Sequence, residues 1–203
     1  MDGDQRLARG NRSRRTIARH AVDVASAEGL DGLSLGRLAA DLGVSKSGVA
    51  TLFRSKEQLQ LATIDAAREA FVEAVVRPAR SAPPGVKRLR ALGERWIAYA
   101  EAPLFPGGCF WAANLPVFDS RPGPVRDALR DRRRAWLDLL AEQVRHAAAG
   151  TDADVDADVD ADVVAFQIDA VFTAGNLALR LGEPDAVATV RRAFGDLVAR
   201  VSG

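Results

Sequence analysis

Ser45, Lys46, Ser47, Gly48 and Thr51 stand close together just after a glycine, within "LAADLGVSKSGVATLF", Leu38–Phe53. Their chemistry suits contact with a polyanion. Short hydroxyls and an ammonium reach phosphate oxygens and base edges. Amides at a helix N-terminus hold a phosphate. For these groups to share one outward face, the segment must be two short helices joined by a tight turn. Ser34 reads as the N-cap of a helix carrying Leu35, Leu38, Ala39 and Leu42, because a serine oxygen accepts an otherwise unpaired first-turn amide. Gly43 supplies the positive φ that the turn needs. Ser45 caps the next helix, Ala39 is small where the helices cross, and Val49 turns back into the core. The pattern predicts a helix-turn-helix, whose second helix enters the major groove.

The rest of the chain reads as helices that carry this module. Ile17, Ala21, Val24 and Ala25 recur at helical spacing up to Ala27. "EGLDG" ends that helix, with Gly29 as its C-cap. "SKEQ", Ser55–Gln58, is a capping-box pattern that opens a fourth helix, expected to run to about Val76, before Pro78. "SAPPG" at 81–85 breaks the chain, and a helix marked by Leu89, Leu92, Trp96 and Ile97 follows. "APLFPGGCF" is a second break. A short apolar helix, the break "DSRPGP", and long helices over Val125–Ala149 and Val163–Leu181 come next. "GEP" turns the chain into a last helix ending near Val201. The fold class is all-α: an N-terminal three-helix helix-turn-helix domain, residues 1–56, with a basic arm, and a C-terminal helical domain, residues 57–203.

Charge is uneven. Residues 1–60 hold ten Lys/Arg against seven Asp/Glu, while the 203-residue chain has a formal net charge of only +1. A basic head on a near-neutral body fits a module that faces a polyanion. With 48% hydrophobic residues the chain can build a core. One cysteine, Cys109, excludes an internal disulfide framework and any multi-cysteine zinc site. With no long apolar run and no leader pattern, the expectation is a cytoplasmic protein with no membrane contact.

Catalytic chemistry finds little support. There is no nucleophile–base pair, no glycine-rich phosphate loop and no metal cluster. His20 and His146 have no metal-ligand spacing to another candidate. "DADVDADVDADV", Asp152–Val163, has the alternation of a calcium loop, but its sixth position is Ala157 instead of glycine and its twelfth is Val163 instead of glutamate. It reads as an acidic linker whose last aspartates sit at a helix N-terminus. "GGCFW" is an apolar setting, which favours an inert buried Cys109 over a redox sensor. No catalytic residue, metal site or cofactor is assigned.

The stretch "LSLGRLAADLGVSKSGVATLFRSKEQL", Leu33–Leu59, resembles the DNA-binding domain of the tetracycline-repressor-like (TetR) regulators. The resemblance is close over about residues 15–62, in the "GVS" turn and the "FRSKEQL" entry to the fourth helix. It implies a homodimer with an N-terminal helix-turn-helix and a C-terminal ligand-binding and dimerisation domain, released from DNA by a small ligand. By that match Lys56 contacts a phosphate and Ser34 both caps its helix and touches the DNA backbone. Arg14, Arg15 and Arg37 join Ser45, Lys46, Ser47, Gly48 and Thr51 as DNA contacts. The sequence departs from the family at Ala50, where members usually carry an aromatic residue on the DNA backbone. Either the arginine arm, Arg12, Arg14 and Arg15, offsets that loss, or DNA affinity is modest.

"FPGGCFWAANLPVFDSRPGPVRDAL", Phe105–Leu129, is similar to one C-terminal-domain subgroup of the same family. Aromatic residues concentrate around it. Trp96, Tyr99, Phe105, Cys109, Phe110, Trp111, Asn114, Phe118, Trp136 and Gln167 are the candidates to line a cavity for a small hydrophobic ligand. The last two helices, about 163–181 and 185–201, are rich in Ala, Leu and Val, so their pairing with a second copy predicts a dimer seam. The leading expectation is a ligand-responsive repressor that binds a palindromic double-stranded DNA operator as a dimer. The alternatives are an enzyme or carrier using the same cavity, and a DNA-binding dimer without a ligand.

Overall fold

A computed structural model describes residues 2–149 and 160–201 of the chain. Every regular element among the described residues is helical. The α-helices are α1 (Asp2–Glu28), α2 (Leu35–Asp41), α3 (Lys46–Leu52), α4 (Lys56–Phe71), α5 (Val86–Glu101), α6 (Phe110–Phe118), α7 (Pro124–Ala148), α8 (Ala161–Arg180) and α9 (Ala186–Arg200). A 3₁₀ turn, Leu30–Gly32, follows α1. A π turn, Val72–Val76, and a last α turn, Arg77–Ala79, extend α4.

The local signals act as expected at most helix ends. Gly29 has φ 76° and its amide donates to the Ala25 carbonyl. Gly43 has φ 63°, and Val44 N donates to Ala39 O at 2.9 Å to close the turn. Ser34 Oγ accepts from Arg37 N, Ser45 Oγ from Gly48 N and Ser55 Oγ from Gln58 N, each at 3.1 Å. Each such cap stabilises its helix by about 1 kcal/mol.

Two helices exceed their expected limits. α1 begins at Asp2, so the basic arm is itself helical. Leu7 is exposed, and helix propensity alone shapes the segment. The fourth helix passes the expected stop at Val76. Arg77 N donates to Val72 O, five residues back, and this wider turn carries the chain through Pro78, which has no N–H to give.

Packing divides the chain into two compact units, Met1–Ala70 with Leu104–Arg130, and Phe71–Pro103 with Asp131–Gly203. The segment Leu104–Arg130 therefore packs with the N-terminal helices, a long-range association that the sequence boundary at residue 56 does not carry. In the first unit Ile17, Ala21 and Ala25 of α1, Leu38 of α2, Val49 of α3 and Phe110 of α6 share one core. In the second, Leu92, Trp96, Leu140, Ile168, Phe172 and Phe194 are buried. Close approach there depends on glycine: a Cβ at Gly93 would fall 2.1 Å from the Phe194 ring, and one at Gly175 2.1 Å from Val190.

The acidic repeat falls almost wholly outside the described residues. Its end is seen at Asp160, whose carboxylate accepts the amides of Asp162 and Val163 and so caps α8.

Candidate nucleic-acid interface

α3 presents two contrasting sides. Val49 and Phe53, just past its end, are fully buried. Lys46, Ser47, Ala50 and Thr51 are exposed on the other side, followed by exposed Arg54. Ser47 Oγ lies 3.3 Å from Ser45 Oγ, and Thr51 Oγ1 donates to Ser47 O at 2.8 Å. These bonds fix the hydroxyl directions and leave oxygen lone pairs facing outward. Among the described residues Lys46, Arg15 and Arg54 meet no hydrogen-bond or ion-pair partner. They are the open cations of this face. Arg54 entered the sequence reading only as part of the charge balance. Its place two residues past Leu52, where the helix has ended, was the available signal.

Arg14, Arg37 and Lys56 are engaged within the unit. Arg14 Nη1 donates to Leu52 O at 2.5 Å, and its guanidinium lies 4.5 Å from the Phe53 ring centre. It fastens α1 to the C-terminal end of α3, where unpaired carbonyls need donors. Arg37 forms two hydrogen bonds with the Glu28 carboxylate, and its Nε lies 3.7 Å from Asp41. The hydrogen bonds from Arg37 hold the Glu28 carboxyl below its ordinary pKa, and Glu28 raises that of Arg37. Lys56 Nζ donates to Asp31 O at 2.6 Å. These three side chains position the reading helix, whatever else they meet.

The ten residues expected around one cavity fall into two groups. Phe105, Cys109, Phe110, Trp111, Asn114 and Phe118 belong to the first unit, and Trp96, Tyr99, Trp136 and Gln167 to the second. Asn114 corrects its expected role as a polar group facing a ligand. It is fully buried, its Oδ1 accepts from Leu30 N at 2.7 Å, and its Nδ2 donates to Phe110 O and Ala25 O at 2.8 and 3.2 Å. All its bonding capacity toward α1 is used in holding α6 there. Phe105 lies under the Arg19 guanidinium at 4.8 Å. Phe110 meets Trp111 edge to face. Cys109 is buried, in keeping with the apolar setting.

In the second unit Trp96 stacks on Phe172 with centroids 4.3 Å apart. Phe71 meets both Tyr99 and Trp136 edge to face, at 5.5 and 5.4 Å. Gln167 Oε1 accepts from Arg200. An open depression where α8 turns into α9 is lined by Leu179, Glu183, Asp185, Ala186, Arg191 and Arg192. Its lining mixes aliphatic and charged side chains and includes no aromatic ring.

α8 is long and apolar enough to span a membrane by length and composition. Its inner side, however, packs at Ala165, Ile168 and Phe172, and its Asp169 pairs with Arg133 at 2.8 Å. Its outer side leaves Val163, Phe166, Leu177 and Leu181 49–69% exposed. These positions form one stripe at helical spacing.

A capped, cation-bearing second helix on a helix-turn-helix scaffold, followed by a helical body, defines a DNA-binding regulator. Residues 17–63 match the bacterial regulatory proteins, tetR family. Residues 85–194 match the tetracyclin repressor-like C-terminal domain. The chain belongs to the TetR family of transcriptional regulators and is not an enzyme. Solved structures agree on the fold. A TetR regulator from Chloroflexus aurantiacus J-10-FL is similar at TM-score 0.82 and 24% identity over 95% of each chain. SCO4454 from Streptomyces coelicolor gives 0.77 and 21%, covering 96% of this chain and 97% of that one. AibR, solved with isovaleryl coenzyme A and operator DNA, gives 0.67 and 21%, covering 90% and 96%. No curated relative matches the sequence.

Proposed function

We propose that this regulator is a repressor that binds a palindromic operator as a homodimer and leaves it when a small, largely hydrophobic ligand binds the second unit. The observation that carries the reading is the outer face of α3, where Lys46, Ser47 and Thr51 stand exposed with the Ser45-capped helix start beside them. Lys46 and Arg15 hold phosphates, and Ser47 and Thr51 reach base edges. Gly48 permits close approach of the helix backbone. Without an aromatic at position 50, backbone affinity leans on Arg15 and Arg54. DNA reading places the protein in the cytoplasm.

Dimerisation uses the outward stripe of α8 together with exposed Ala188 and Ala199 and half-buried Gly195 of α9, small residues that allow close helix contact. Two such chains give a four-helix seam and two reading helices about 34–36 Å apart, one turn of DNA. A ligand that prefers another spacing lowers DNA affinity by its differential affinity for the two states. AibR, captured with both an acyl coenzyme A and operator DNA, supports the pairing of these two activities on this fold.

The test is a titration of the purified protein against DNA from the region upstream of its own gene, at two salt concentrations. Saturable, salt-sensitive binding at a palindrome with two chains per site is the expected result. Binding no stronger than to random DNA overturns the operator reading.

A further inference from the structure

Asp31, in the 3₁₀ turn between α1 and α2, gathers two cations from distant parts of the chain. Lys56 Nζ, at the start of α4, donates to its carbonyl oxygen at 2.6 Å. Arg121 Nη1, in the break between α6 and α7, donates to its carboxylate. Arg121 lies 90 residues from Asp31 in sequence, and the packing of Leu104–Arg130 with the N-terminal helices brings the two together. One carboxylate meets two positive charges here, so one positive charge is left over.

The Arg121 guanidinium also lies by the Phe118 ring, its carbon 5.4 Å from the ring centre. Two contacts hold the side chain, yet it is 55% exposed. Its Nε and Nη2 make no further hydrogen bond among the described residues. Exposed ion pairs contribute little to stability. Such a pair does fix the direction of a guanidinium, and the free Nε–Nη2 edge then suits two phosphate oxygens at once.

The cluster adjoins the outer face of α3. A Cβ placed on Gly36, in the first turn of α2, would stand 3.8 Å from Lys46 Cε, so the Lys46 side chain lies by the start of α2. Asp31 comes shortly before that start in the chain. Lys46, Lys56 and Arg121 therefore all gather near the beginning of α2, and exposed Arg54 follows α3.

We infer that Arg121 is a DNA contact: together with Lys56 it holds a backbone phosphate of the duplex that α3 reads, so the DNA surface includes a residue from outside the helix-turn-helix. The inference rests on the reading of α3 as the DNA-facing helix. A phosphate carries no base sequence, so this contact adds affinity and fixes orientation without altering the sequence preferred.

Full-length wild type, Arg121→Gln and Lys46→Ala are titrated by fluorescence anisotropy against a labelled duplex of random sequence across a salt series. Each phosphate neutralised adds about 0.9 to the slope of log K against log salt. Arg121→Gln is expected to bind several-fold more weakly and to lower that slope by about 0.9 per bound chain, with a melting temperature close to wild type. An unchanged slope overturns the inference, whatever the affinity. The Asp31→Ala background separates contact from positioning. There Arg121 has no carboxylate to hold, and Arg121→Gln still lowers the slope by the same amount when its partner is a phosphate. Loss of the effect in that background makes Arg121 a support for the turn and overturns the inference too. A slope lowered by Lys46→Ala and untouched by Arg121→Gln keeps α3 on the DNA without Arg121. The reverse keeps Arg121 as a DNA contact and takes α3 off the duplex. Wild-type binding that ignores salt sinks both readings.

Discussion

Asn114 Oδ1 accepts the amide hydrogen of Leu30 at 2.7 Å, across 84 residues of sequence. The bond joins α6 to the turn that ends α1. There the chain passes Gly29 and can no longer pair its own amides within the helix. Ser26 does the same for the preceding loop, its Oγ accepting from Gly107 N at 3.0 Å. The helix that carries the reading head's core is thus finished by side chains and backbone from the segment Leu104–Arg130.

Asn114→Ala leaves Leu30 N buried without an acceptor and opens a small cavity. A loss of about 1–3 kcal/mol in urea unfolding is expected. A stability equal to wild type would mean that water replaces the amide at no cost.

Gly107→Ala tests the same seam by steric means. Its Cβ would fall 2.2 Å from the Ser26 carbonyl, where backbone has to move. A cost of about 1–3 kcal/mol is expected, read as a fall in melting temperature with the helical content of the circular dichroism spectrum retained.

Lys46 and Arg14 separate contact from positioning. Lys46→Ala should weaken binding to every DNA sequence and reduce the slope of log K against log salt by about one phosphate's worth, with stability unchanged. Arg14→Ala should lower stability through the lost Leu52 and Phe53 contacts and leave the salt slope alone. Reversal of the two results would exchange their roles.

The Glu28–Arg37 pair gives a pH signature. Arg37 lowers the Glu28 pKa in the folded state. The stabilisation is therefore full above the unfolded glutamate's value and is lost as pH falls through the folded one. Glu28→Gln should melt below wild type at neutral pH, and the gap should close on acidification. A gap independent of pH would rule out the ion pair as its source.

Phe166→Glu with Leu177→Glu places two charges on the exposed stripe of α8. Light scattering should show the dimer give way to monomer, and operator affinity should fall steeply, because half-sites then bind independently. A dimer that survives this pair of charges places the seam elsewhere.

What the sequence determined by itself was local. Ser34, Ser45 and Gly43 set the helix-turn-helix because each acts on amides within five residues of itself, and the spacing of Ala39 and Val49 says which side is core. The family resemblance over the same stretch rests on those positions. Tertiary structure decided where long side chains and distant segments end. Arg14, Arg37 and Lys56 look like free cations in sequence, yet their partners lie 38, 9 and 25 residues away. Asn114 looked like a ligand group because a polar residue among aromatics suits a cavity, and only the approach of α6 to α1 gives it the Leu30 amide. Hydrogen bonds and burial depend on three-dimensional distance, and periodicity reports only the direction in which a side chain leaves its own helix.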